Sequence, residues 1–147
     1  MIGGEPRVGY VLRYAYLWHD EFARAQEEGA KDRPCVLIVA TSRPDLEGRI
    51  SVRVLPVTHS EPRDSRAAVE IPALTKRRLG LDSQRAWVVL SEGNTFIWPG
   101  PDVRPVPGRH PETIYYGPLP PKLFRAIVTR LIALARARRY RDVPRTT

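Results

Sequence analysis

Short apolar runs broken by turn chemistry divide the chain into strands, and one helical pattern closes it. The longest run is Cys35-Val36-Leu37-Ile38-Val39-Ala40, six apolar positions without a break. Such a run predicts a strand buried on both faces. Pro34 can open it, because the missing N–H of proline falls at the first position. Before it, Val8 to Leu12 and beyond predicts a first strand, with Tyr14, Tyr16 and Trp18 spaced by two along one face. After it, Ser42 to Gly48 carries turn residues, and Ile50, Val52 and Val54 alternate with polar neighbours on the way to Thr58 and His59. The two strands and their Gly-containing loop predict an antiparallel pair.

Further along, Val69-Glu70-Ile71-Pro72 predicts a short strand, and Leu74 to Leu81 a helical turn closed by Gly80. Ala86 to Leu90 reads as a buried strand, Ser91 to Asn94 as a hairpin-like turn and Thr95 to Trp98 as the return strand. Eight of the 15 prolines fall between Pro99 and Pro121, which predicts a rigid arm rather than regular structure. Leu123, Ile127, Leu131 and Leu134 recur at helical spacing behind Pro120-Pro121, with arginines on the other side. His19 to Asp32 is expected to be a long loop with a helical turn. The chain is expected to be one domain over residues 1–147, ordered from about 8 to 140, with a flexible tail over 141–147.

Composition narrows the functional classes. Lys and Arg total 24 against 16 acids, a net charge of +8, and the pI is near 10.2. That excess favours a polyanionic partner, either nucleic acid or an acidic protein segment. The single cysteine, Cys35, allows no intrachain disulfide and suits a reducing compartment. No apolar stretch approaches the ~20 residues that cross a membrane, and the N-terminus has no leader pattern, so the cytoplasm is the expected location. His19, His59 and His110 are far apart and give no zinc spacing.

The order of these pieces resembles the MazF/PemK family of toxins from toxin–antitoxin modules. The resemblance rests on Gly9-Tyr10-Val11-Leu12, the Arg33-Pro34 strand start, the strand ending in Val57-Thr58-His59-Ser60, then Glu70-Ile71-Pro72, Leu79-Gly80-Leu81-Asp82, Arg85 to Asn94 and the terminal helix. It covers most of Gly9 to Leu134. It implies a mainly β, α+β fold: an SH3-like, partly closed barrel of the MazF/PemK/CcdB type with added helices. It also implies a homodimer and a metal-independent endoribonuclease for single-stranded RNA, inhibited by an antitoxin with an acidic segment. Two features depart from compact members: the longer loop before Arg33, with Lys31 where glycine is usual, and the 99–121 arm.

Carried over by position, Arg33 resembles the family's catalytic arginine and Thr58 its threonine. Glu28 matches a loop glutamate of some members, and Glu92 lies near the family's later acidic residue. RNA can cleave itself when a 2′-OH attacks the neighbouring phosphorus, which requires a base, charge stabilisation and a proton for the leaving oxygen. Arg33 suits the phosphoryl charge, since its fork matches two oxygens. Glu28 or Glu92 is the candidate base. His59 is a candidate proton donor, with an unperturbed value near ~6.5, although alternation in a strand points it away from Thr58. Trp18, His19, Lys31, Ser60 and Asn94 are the candidate RNA contacts. No cofactor is expected. The alternative is a non-catalytic protein on the same barrel, binding RNA or poisoning a protein target in the manner of the gyrase-directed branch.

Overall fold

The apolar run after Pro34 lies inside β2 (Asp32–Arg43), the middle of an eight-stranded sheet in a computed structural model that describes residues 4–20 and 31–145. β1 (Tyr10–Ala15) and β3 (Arg49–Thr58) flank β2, both antiparallel to it. Cys35 faces Leu12 on one side and Pro56 on the other. The remaining strands are β4 (Ala68–Glu70), β5 (Trp87–Val89), β6 (Glu92–Ile97), β7 (Tyr115–Pro118) and β8 (Arg141–Pro144). The sheet runs β4-β5-β3-β2-β1-β7, with β6 on β3 and β8 on β6. Among the described residues only the β6–β8 pair is parallel. Two helices complete a mainly antiparallel α+β fold among the described residues: α1 (Ala73–Leu79) and α2 (Pro121–Arg136). The sheet stays open.

Alternation sends neighbouring residues of β1, β2 and β3 to two separate cores. Val11, Val36 and Leu55 join the core beneath α2; Leu12, Cys35 and Val54 join the other, with Tyr14, Phe96 and Trp98. This explains the unbroken apolar run, since each face of the strand is covered. The cover ends halfway. β1 pairs with β2 only as far as Val36, so Val39 is 39% exposed rather than buried as the run predicts. A bulge at this point lets β2 turn outward. α2 closes the first core with Ile127, Leu131 and Leu134. α1 stops at Gly80, whose positive φ of 72° suits glycine.

Three expectations are overturned. Ser91 to Asn94 is not a hairpin turn: β5 and β6 do not pair with each other but follow one another along the same side of β3. Gly93 permits this, because a Cβ there would stand 2.8 Å from the Val54 carbonyl oxygen. The 99–121 segment is not an arm without regular structure. It contains β7, which pairs with β1, and Val103, Val106 and Ile114 are buried. Residues 141–147 are not a tail throughout: β8 pairs with β6, Val143 is fully buried, and Arg145 is buried against Asp102 at 2.9 Å.

No helix among the described residues is long and apolar enough to cross a membrane.

Candidate active site

Four strand ends meet at one end of the sheet. β1 ends there, β2 begins, β3 ends and β6 begins, as their antiparallel pairing requires. The β2–β3 register of Cys35 with Pro56, carried two places on, sets Arg33 opposite Thr58. Residues opposed in a strand pair share a face, so both side chains emerge on the side of the second core, just past its edge. Trp18 follows from the end of β1, and Glu92 opens β6 on the same side.

These residues line one cleft of about 740 Å³, with Lys31 and Ser60 at its rim and the loop Glu61–Asp64 as its far wall. Sequence reasoning had not singled out Arg63 or Asp64; their only signal was position, directly after the strand that ends in Thr58. A smaller hollow of about 280 Å³ lies behind Arg33 and shares Lys31 and His59 with the cleft.

Arg33 is the cation at the centre. Its guanidinium carbon stands 4.9 Å from the centroid of the Trp18 ring, and Nη1 donates to the Val57 carbonyl at 3.4 Å. Nε is buried with no hydrogen-bond partner among the described residues. Among the described residues Arg33 makes no ion pair, although Arg13 and Arg104, farther from the cleft, both reach Asp32. A stacked guanidinium without a carboxylate is left to find an anion.

Glu92 is held from two sides. Oε1 accepts the Tyr16 hydroxyl at 3.0 Å and the His19 backbone N–H at 2.9 Å. Burial raises its carboxyl above the ordinary value, and these two donors offset part of the rise. A raised carboxylate is a better proton acceptor than a solvated one. The Tyr16 phenol is pushed well above its usual range by burial and by Glu92, so it stays a donor. Thr58 Oγ1 accepts the Ser60 N–H at 3.1 Å, which leaves its own proton free to donate.

Other candidates sit differently. Contrary to the expectation of an RNA contact, Asn94 does not line the cleft: it is fully buried, accepting from Leu17 N–H at 2.9 Å and donating to Leu17 O at 2.8 Å. With Arg145, which donates to the Ala15 carbonyl at 2.7 Å, it fixes the segment that presents Trp18. His59 borders both the cleft and the smaller hollow, with its two ring nitrogens engaged. Its Nδ1 stands 2.9 Å from the Arg85 carbonyl oxygen and its Nε2 3.0 Å from Asp82 Oδ2. Both partners accept, so the doubly protonated ring satisfies both. His19 reaches Glu92 through its backbone. Glu28 lies outside the described residues. Cys35, directly behind Arg33, is fully buried, and burial pushes its thiol far up, which removes it as a nucleophile.

Among the described residues no three His, Cys, Asp or Glu side chains are grouped to hold a metal ion. No family model matches the chain, and no curated protein matches it.

Proposed function

We propose that this cleft binds single-stranded RNA and cuts it by attack of the substrate's own 2′-OH, on a partly closed, SH3-like barrel of the MazF/PemK type. One observation carries the reading: Arg33, with no ion pair among the described residues, shares a cleft with a hydroxyl donor and a carboxylate of raised basicity.

Glu92 accepts the 2′ proton. The 2′ oxygen bonds to phosphorus, and the bond from phosphorus to the 5′ oxygen breaks. Arg33 and Thr58 hold the non-bridging oxygens while charge builds on them. The leaving oxygen takes a proton from solvent, since both ring nitrogens of His59 already face Arg85 and Asp82. The products are a 2′,3′-cyclic phosphate and a free 5′ hydroxyl. DNA has no such nucleophile and is left intact. The reaction needs no metal, so it persists in EDTA. Trp18, which lines the cleft beside Arg33, supplies an aromatic surface for an unstacked base, and Lys31 and Ser60 contact the backbone.

The cations Lys31, Arg33 and Arg63 that line the cleft also suit an acidic segment. We take such a segment, on a small antitoxin, as the inhibitor, and a homodimer as the working form in the cytoplasm. Incubating the purified protein with a single-stranded RNA pool tests the reading. New ends bearing cyclic phosphate support it. Retained RNA without new ends supports a binding protein instead, and neither result points to a protein target.

A further inference from the structure

The cleft does not end at its far wall. Asp64 lines it, and beyond Asp64 lies a second hollow of about 470 Å³ between the short turn Ser65–Ala67 and the last turns of α2. Arg66, Arg130 and Arg139 line that hollow over a floor of Ala133, Leu134 and Ala137. Two of the three guanidinium groups, those of Arg66 and Arg139, pair with one carboxylate, Asp64. Asp64 Oδ1 takes the Arg66 backbone N–H at 2.9 Å, and Oδ2 takes Arg139 Nη2 at 3.0 Å. Arg66 and Arg139 together hold the Asp64 carboxyl down at about 2. Arg130 reaches only the Ala68 carbonyl, at 3.4 Å, and makes no ion pair among the described residues.

Three carbonyls in the last turns of α2 are already engaged: those of Ala133, Leu134 and Ala135 accept the N–H groups of Ala137, Arg139 and Arg138. The hollow therefore combines spare positive charge, directed donors and a small apolar floor. That suits a phosphate with its attached ribose.

We infer that this hollow seats a backbone phosphate of the RNA strand that crosses the cleft, several nucleotides from the scissile bond. The inference rests on the RNA reading of the cleft, and Asp64, which lines the cleft and is bonded to Arg66 and Arg139 of the hollow, is the ridge the strand passes over. The site gives affinity rather than sequence choice, because it touches only sugar and phosphate.

The test uses a labelled, fully 2′-O-methylated 12-mer, which lacks the attacking hydroxyl and cannot be cut. Its affinity is measured by anisotropy over a range of KCl concentrations for wild type, Arg130→Gln, Arg139→Gln and Arg125→Gln. Arg125→Gln removes the same charge from α2 at an exposed position that does not line the hollow. The expected result is a loss of about 3–10-fold in affinity for the first two variants, with the log–log salt slope shallower by about 0.7 for each lost phosphate contact. Arg125→Gln should keep the wild-type slope. Unchanged slopes at Arg130 and Arg139, or an equal change at Arg125, overturn the inference while leaving cleavage by the wild type standing. If the wild type binds no 12-mer and cuts no RNA, the cleft reading falls, and this one with it.

Discussion

The guanidinium of Arg33 lies over the ring of Trp18, with 4.9 Å between the guanidinium carbon and the ring centroid. The two residues come from different strands: Trp18 leaves the end of β1, and Arg33 is near the start of β2. Their contact steadies a cation that has no carboxylate beside it among the described residues.

Trp18→Ala should therefore cost cleavage without unfolding the chain. An exposed to partly desolvated cation–π contact contributes about 0.5–2 kcal/mol, which corresponds to a rate loss of about 2–30-fold. Trp18→Phe should keep most of the activity. Single-turnover rates on a fixed RNA measure both, and equal losses in the two variants would remove the stacking role.

Glu92→Gln separates chemistry from stability. Burial raises the Glu92 carboxyl, so the fold favours its protonated form. The stability from this group is full below the ordinary glutamate value, about 4.3, and is lost as pH rises through the raised value. Glutamine escapes that loss while still accepting from Tyr16 and His19. The variant should be more stable than wild type at pH 7–8, with the gap closing toward pH 4, and should cleave about 10²–10⁴-fold more slowly. Thermal melts across pH and matched rate measurements check the two halves. Wild-type cleavage by Glu92→Gln would remove the base.

His59 is expected to matter less. Its ring is committed to the Arg85 carbonyl and to Asp82, so His59→Gln should lower the rate by less than about 10-fold. Loss of a true general acid costs about 10²–10⁴-fold. A drop of that size, with the alkaline limb of the pH profile gone, would make His59 the proton donor.

The Arg145–Asp102 pair is structural. Arg145→Met leaves Asp102 buried beside no cation, and such a loss costs about 3–5 kcal/mol. Urea unfolding should show that cost, and Arg145→Met with Asp102→Asn should recover part of it. A cost under about 1 kcal/mol would contradict the buried pairing.

The strands that carry the site were legible because their apolar periodicity is strong. β2, β3 and α2 could be read from the run at Cys35, the alternation at Ile50 and the spacing at Leu123, and Arg33 and Thr58 followed from the strand ends. Three parts were not legible, each for a local reason. β8 holds a single apolar residue, Val143, flanked by charge and proline, and only its parallel partner β6 makes it a strand. β7 hides in a proline-rich stretch because it is an outer strand at the end of the sheet order, bonded to β1 alone. Asn94 reads as a turn residue with a free amide, yet long-range bonds to Leu17 bury it. Pairwise burial of this kind leaves no periodic trace in the sequence.

The most direct test maps RNA ends produced by the purified wild type and by Arg33→Ala from one single-stranded pool, in EDTA. The account predicts discrete new ends bearing 2′,3′-cyclic phosphate from the wild type. It predicts none above background from Arg33→Ala, which should melt near the wild-type temperature because Arg33 makes no ion pair among the described residues and its bond to the Val57 carbonyl is long, at 3.4 Å. Equal cleavage by the two proteins would contradict it.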